Sequence, residues 1–266
     1  MKNIYLIIFA LFIGVNMNAQ HVFTTTYTVT GTETWDLATY PDGVDIYKQL
    51  IIEPGGVLFI NDITVRFKRD MAGPYYSVEV KAGGKLGADN TSFINYNIAP
   101  WKGIIVRGNL DYPFYDFTHQ GVLLLENCFI KGSYFAVKAE NEYNNSQLGG
   151  GTVVIKGTTF QDNKPSIRLS EAPLGYASIT GCTFLRTTDY PNYQWNVYPN
   201  GIPTAIETIN IKANIYNCEF IATCDFPPPT GGHGVQALGG DVTISNCEFD
   251  GYGSGISGQS ALQMFC

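Results

Sequence analysis

Six cysteines stand in a chain of 266 residues, and three of them sit in one repeated phrase. It reads "ITGCTF" (179–184), "IYNCEF" (215–220) and "ISNCEF" (244–249). Thiols at recurring positions admit four readings: disulfides, a metal site, catalytic nucleophiles, or small buried side chains. His233 stands between glycines in "GGHGVQALGG" (231–240). Lys138, Arg168 and Glu207 are candidate charged groups for proton transfer or anion contact. The loop "DYPNYQWNVYPNG" (189–201) carries Tyr190, Tyr193, Trp195 and Tyr198. Such rings suit sugars, because a flat apolar face stacks while the polar tip hydrogen-bonds.

What these residues can do depends on the elements that hold them, and the phrase itself defines those elements. Anchoring on Asn246, the residues at −4, −2, +1 and +3 are Val242, Ile244, Cys247 and Phe249. The same frame fits Asn217, Gly181, Gly157, Asn127, Asn90 and Asp62, with spacings of 29, 36, 24, 30, 37 and 28 residues. Every framed residue is uncharged, and all are apolar except Thr91 and Thr158. Residues between them are mostly polar, as in a strand with one buried face. The alternation shifts phase at the anchor, which is Asn, Gly or Asp in each copy. Those residues best tolerate the left-handed backbone conformation. Each copy therefore reads as strand, one-residue corner, strand.

A third strand lies between copies. "GII" (103–105), "AVK" (136–138), "SIR" (166–168), "AIE" (205–207), "GVQ" (234–236) and "GIS" (255–257) each set an apolar residue after a small one. Near the N-terminus "IIEPGGVL" (51–58) and "EVKAGGKL" (79–86) match each other. The expected fold class is all-β: a single-stranded right-handed parallel β-helix of about seven to eight coils, with three short strands per coil. A β-sandwich also has many short strands, but does not predict one corner seven times in phase.

The corner "V-x-I-x-N-C-x-F" resembles the second turn of pectate-lyase-like right-handed parallel β-helices. "LIIEPGGVLFINDITVRF" (50–67) and "PWKGIIVRGN" (100–109) resemble exported β-helix proteins of bacteria with a type IX secretion system. The resemblance spans residues 50–257 and speaks to fold; that superfamily mixes lyases, hydrolases, adhesins and proteins of unassigned role. Trp101 in "PWKGI" belongs to this pattern and is expected to cover the solenoid at a strand entry.

In this frame Cys128, Cys182, Cys218 and Cys247 share position +1 with Thr91, Thr158 and Ile63. Stacked residues lie about 4.8 Å apart, whereas a disulfide wants Cβ atoms about 3.8 Å apart. Paired close spacing of the C-x-x-C type is missing, so no metal site is expected. The thiols read as buried filler. Cys224 and Cys266 lie off this ladder and remain a possible disulfide pair.

The outward row of the third strand is expected to hold Glu79, Ile105, Lys138, Arg168, Glu207, Gln236 and Ser257. Lys138 and Arg168 would be like-charged neighbours. Either an anion sits between them, or Arg168 pairs with Glu207 while Lys138 is solvated. Long insertions at 109–120 and 189–201 flank this row. "GGHG" resembles the Gly-His-Gly element of polygalacturonase-like glycosidases, which implies a catalytic role for His233. The partner aspartates of those enzymes are missing from "TAIETI" (204–209). A lyase would want calcium-binding acids beside a base such as Arg168 or Lys138, and no Asp cluster accompanies them. No cofactor is expected.

The net charge of −7, with no basic run, argues against nucleic acid and against an anionic membrane surface. Apolar residues at 45% allow a large core. Lys2, the apolar run 4–15 and a small residue at Ala19 form the pattern of a signal peptide over residues 1–19. No transmembrane span is expected in the mature chain. Residues 20–49 are expected to form a cap with first strands, and 50–266 the solenoid. The chain stops at Cys266 soon after a strand begins a new coil, which reads as a fragment or an unusual cap. The function expected from this reading is a secreted or cell-surface, non-enzymatic protein that presents a face to polysaccharide or a cell-surface glycan. The alternative is a polysaccharide lyase or glycoside hydrolase working in the groove beside Lys138, Arg168, Glu207 and His233. Nothing sets the oligomeric state.

Overall fold

The computed structural model describes residues 21–68, 76–96, 100–109, 111–139, 148–170, 176–187, 204–223, 232–259 and 262–265. The described residues contain strands and turns but no helix, hence none long and apolar enough to cross a membrane. The strands form parallel sheets of nine and sixteen strands, and a small antiparallel pair of Gly108–Asn109 with Leu148–Gly149.

The corners set this arrangement. Asp62, Asn90, Asn127, Gly157, Gly181, Asn217 and Asn246 all have φ between 48° and 61°. A left-handed residue would ordinarily strand its backbone polar groups. Here the Asn90 amide donates to the carbonyl of Glu126 (3.0 Å), Asn127 to Lys156 (2.9 Å), Gly157 to Thr180 (3.0 Å) and Asn217 to Ser245 (3.0 Å). Each corner is thus tied to the residue just before the next corner. Just beyond, Phe129 donates to Thr91, Thr159 to Cys128 and Glu219 to Cys182, each at 2.9 Å.

Successive copies then pair without slippage. Leu58, Leu86, Leu123, Val153, Ala177, Ala213 and Val242 are register partners in turn. All seven are buried. After the corner, Val65, Phe93, Ile130, Phe160, Phe184, Phe220 and Phe249 stack likewise. The last four rings lie nearly parallel, with centroids 5.0, 4.7 and 4.6 Å apart. Such pairs add roughly 0.5–1.5 kcal/mol each beyond burial. Trp101 does not cover the surface: it is fully buried, stacks on Phe67 at 3.9 Å, and donates its indole N–H to the Lys131 carbonyl.

The third row holds the expected register, from Glu79 through Ile105, Lys138, Arg168, Glu207 and Gln236 to Ser257. Three short strands per repeat do not persist throughout, however. Thr204–Tyr216 and His233–Ser245 are single strands of 13 residues. Earlier repeats turn at Pro54–Gly55 and Ala82–Gly83. These two instead bend at Asn210 (φ 50°) and at Gly239–Gly240 (φ 76° and 86°) while pairing continues on both sides. That continuity fuses two rows into the sixteen-stranded sheet. The strands within residues 21–49 already belong to the two large sheets: His21–Phe23 pairs Val44–Ile46, and Tyr27–Val29 pairs Gln49–Ile52. Phe23, Tyr27, Trp35 and Tyr40 close that end with rings 4.3–5.6 Å apart.

The corner geometry makes a direct prediction. Asn217→Val, a β-branched residue at positive φ, should lower unfolding free energy by about 1–2 kcal/mol. Asn217→Gly should stay within roughly 1 kcal/mol of the parent. Urea denaturation measures both, and equal losses would contradict the role assigned to the corner.

Candidate functional site

The cysteines can be assigned first. Cys128, Cys182, Cys218 and Cys247 are free thiols, the first three buried. They share more with Thr91 and Thr158 than bulk. Each side chain donates back to the carbonyl just before its own corner: Thr91 to Asp89 at 2.9 Å, Cys128 to Glu126 at 3.2 Å, Thr158 to Lys156 at 3.2 Å, Cys218 to Tyr216 at 3.3 Å. Cys182 and Cys247 do the same, at 3.4 and 3.3 Å. That carbonyl also accepts the amide of the neighbouring corner, so both its lone pairs are used. The position therefore favours a short donor, which six of the seven copies carry; Ile63 is the exception and fills the site by bulk alone. Burial pushes the Cys128 thiol up to about 11, and the adjacent Cys182 together with burial pushes Cys218 up to about 12. Such groups are neutral thiols at physiological pH and poor nucleophiles. Among the described residues no three His, Cys, Asp or Glu side chains form a metal-holding group. Cys224 and Cys266 lie outside the described residues, as do Tyr190, Tyr193, Trp195 and Tyr198.

The charged row is more enclosed than its outward position implies. Ile105 is buried, and Lys138 is 9% exposed rather than solvated. Phe135 lies against both cations, 5.1 Å from the Lys138 ammonium and 5.7 Å from the Arg168 guanidinium. Arg168 pairs with Glu207 at 3.4 Å. Glu79 pairs with Arg107 at 3.1 Å and Lys81 at 3.2 Å. Glu79 and Glu207 are separated by four strand steps, about 19 Å, so these two carboxylates do not converge. His233 opens the strand His233–Ser245, in register with Thr204 and Ser254. It stands three residues before Gln236, beyond two consecutive buried positions, Gly234 and Val235.

The open surface lies on the other row, the outward face of the strands before the corners. Phe59, Gly87, Leu124 and Val154 are register partners there. Phe59 and Leu124 are 43% and 46% exposed. Gly87 has no side chain to hold the Phe59 ring upright, so the ring leans onto it; a Cβ at Gly87 would lie 2.9 Å from Phe59 Cδ1. Beside this apolar strip run Asn61, Asp89, Glu126 and Lys156, one per strand. These residues line a shallow cleft of about 300 Å³. Lys156 pairs with Glu126 at 2.8 Å, Asp89 accepts from the Asn127 amide at 3.3 Å, and Asp62 accepts from Asn90 at 2.6 Å.

The insertion at 109–120 borders this cleft. Its Phe114 carbonyl accepts from the Thr152 hydroxyl at 2.6 Å, and the Phe114 ring packs on Tyr176 at 5.1 Å. Tyr112 stacks on His119 at 3.6 Å, and Asp116 holds the His119 ring at 3.0 Å. Thr118's hydroxyl bond, with His119 beside it, keeps Asp116 below the usual carboxylate range. Phe117, 45% exposed, lies 5.7 Å from the Lys85 ammonium, two residues along the strand from Gly87. The loop thus supplies an aromatic rim on the side opposite Asp89 and Glu126. The loop was expected to flank the charged row; it leaves that row after Gly108–Asn109 and reaches Thr152, which is buried, through the Phe114 carbonyl.

No family model matches the chain, and no curated protein is significantly similar to it.

The thiols carry a testable consequence. The folded protein at pH 8 should resist alkylation at Cys128 and Cys218, and label there only after denaturation. Because the folded-state values are raised, the unfolded chain loses these protons first. Their contribution to stability is complete below about pH 8.5 and declines as pH climbs towards 11. Prompt labelling of Cys128 in the folded protein would overturn this assignment.

Proposed function

We propose that this chain is an exported or cell-surface protein that winds as a single right-handed parallel β-helix of seven to eight coils and binds carbohydrate without turning it over. The seven in-phase corners and three in-register rows support the winding, with handedness following from the strong right-handed preference of parallel crossovers. Motif likeness alone supports the pectate-lyase-like and type IX affiliations. Export rests on the signal-peptide pattern of residues 1–19.

The observation that carries the binding reading is Phe59 reclining on Gly87, exposed, within a cleft edged by Asn61, Asp89 and Glu126. A sugar ring offers an apolar C–H face and equatorial hydroxyls. The Phe59 ring meets the first, and amide and carboxylate oxygens accept from the second. The reading against catalysis rests on the charged row, where Glu79 and Glu207 stand apart and each is held by a cation.

Retention on immobilised neutral and acidic polysaccharides tests this. Phe59→Ala should weaken glycan binding roughly three- to tenfold, the worth of one aromatic contact. Reducing-end and unsaturated-product assays should stay at background. Product release lost on Arg168→Ala or His233→Ala would put the lyase or hydrolase in its place. The export claim has its own measurement: intact mass of protein recovered outside the cytoplasm should lack residues 1–19, and a retained leader would refute it.

A further inference from the structure

The apolar strip ends at Val154, but the uncharged row does not. The outward row continues in register through Ser178, Asn214 and Thr243. No charged side chain occupies this row from Phe59 to Thr243, across seven successive strands. In the parallel row two residues further along, charge stops at Lys156, and Thr180, Tyr216 and Ser245 follow. Tyr216 is 47% exposed, and its hydroxyl accepts from the Asn246 side-chain amide at 3.0 Å. One face thus has an exposed aromatic ring near each end and an uncharged, hydrogen-bonding path between them.

The charges that flank this path balance. The two rows beside it hold Lys85, Lys156 and Lys212 against Asp89, Glu126 and Asp241. Lys156 is paired with Glu126, Lys85 lies by the Phe117 ring, and Lys212 has Asp241 as its register partner on the next strand. The flanks thus carry no net positive charge to draw a uronate or sulfate, and the whole chain carries −7. From Phe59 to Tyr216 the path crosses five strand steps, about 24 Å. A single sugar is far shorter than that, whereas an extended chain lying across the strands spans it.

We infer that this face binds an uncharged polysaccharide as an extended chain laid across the strands, seated on Phe59 at one end and on Tyr216 at the other. This rests on the carbohydrate-binding reading above and adds the ligand's charge class, its direction and its length.

Calorimetry with glucan, xylan and mannan oligosaccharides, each as a disaccharide and as a chain spanning the strip, provides the test. The long uncharged chain should bind roughly tenfold or more tighter than the disaccharide, the gain expected from a second aromatic contact and the hydrogen bonds between. Tyr216→Ala should remove that gain and leave disaccharide binding intact, while Tyr216→Phe, which keeps the ring, should retain it. Affinity should vary little with salt, and polygalacturonate or alginate of equal length should bind more weakly. Binding that depends on Phe59 but is independent of chain length, or tighter for the anionic polymers, overturns the inference and leaves the binding reading standing. If Phe59→Ala changes the binding of no glycan, the binding reading itself fails and the inference with it.

Discussion

The carbonyl just before each corner is the group on which the structure depends. A residue with positive φ turns the chain abruptly and exposes backbone polar groups at a buried edge. The neighbouring corner's amide satisfies one lone pair of that carbonyl, and a Thr or Cys side chain satisfies the other. Six of the seven copies supply both donors, Ile63 being the exception, so such a copy that slipped by one residue would lose two bonds and turn its apolar row outward. Register is fixed at the corner, and the ladders of leucine, isoleucine and phenylalanine follow from it. This also explains why the stack tolerates repeats of such unequal length. Insertions enter between corners, at 109–120 for example, and leave the bonded unit untouched.

The corners, the inward rows and the third-row register were legible because each rests on a residue-type restriction. Only Asn, Asp and Gly adopt the corner conformation cheaply, and an inward position excludes charge. The fused strands were less legible. Asn210 and Gly239 bend the chain while pairing continues on both sides, and no pattern of apolar spacing separates a bend from a turn. Lys138 was misjudged for a tertiary reason. Its place in the row is outward, yet Phe135, three residues before it, folds over the row and takes it out of water.

The cleft was missed because its signal is a missing side chain. Phe59 and Gly87 are 28 residues apart, and neither is unusual alone. Their meaning appears once the register makes them neighbours, since a glycine across from an aromatic leaves the ring free to lie down. Reasoning from composition favoured the loop with most aromatic residues. Aromatic density measures how much ring is available, while binding needs a ring held at a fixed angle on a rigid sheet.

A repeat architecture of this kind separates fold from function along each strand. Inward residues are constrained by the stack and the corner by its conformation, so the outward rows alone are free to vary by position along the rod. Two outward rows differ here. One gathered Lys138, Arg168 and Glu207 under Phe135, where the charges neutralise one another and are partly withdrawn from solvent. The other is open at Phe59 and Leu124 and carries no charge between Phe59 and Thr243. Surface positions on an acidic, water-facing protein usually collect charge, because solubility favours it and packing does not forbid it. A full row of seven strands without one suits the uncharged contact proposed for it.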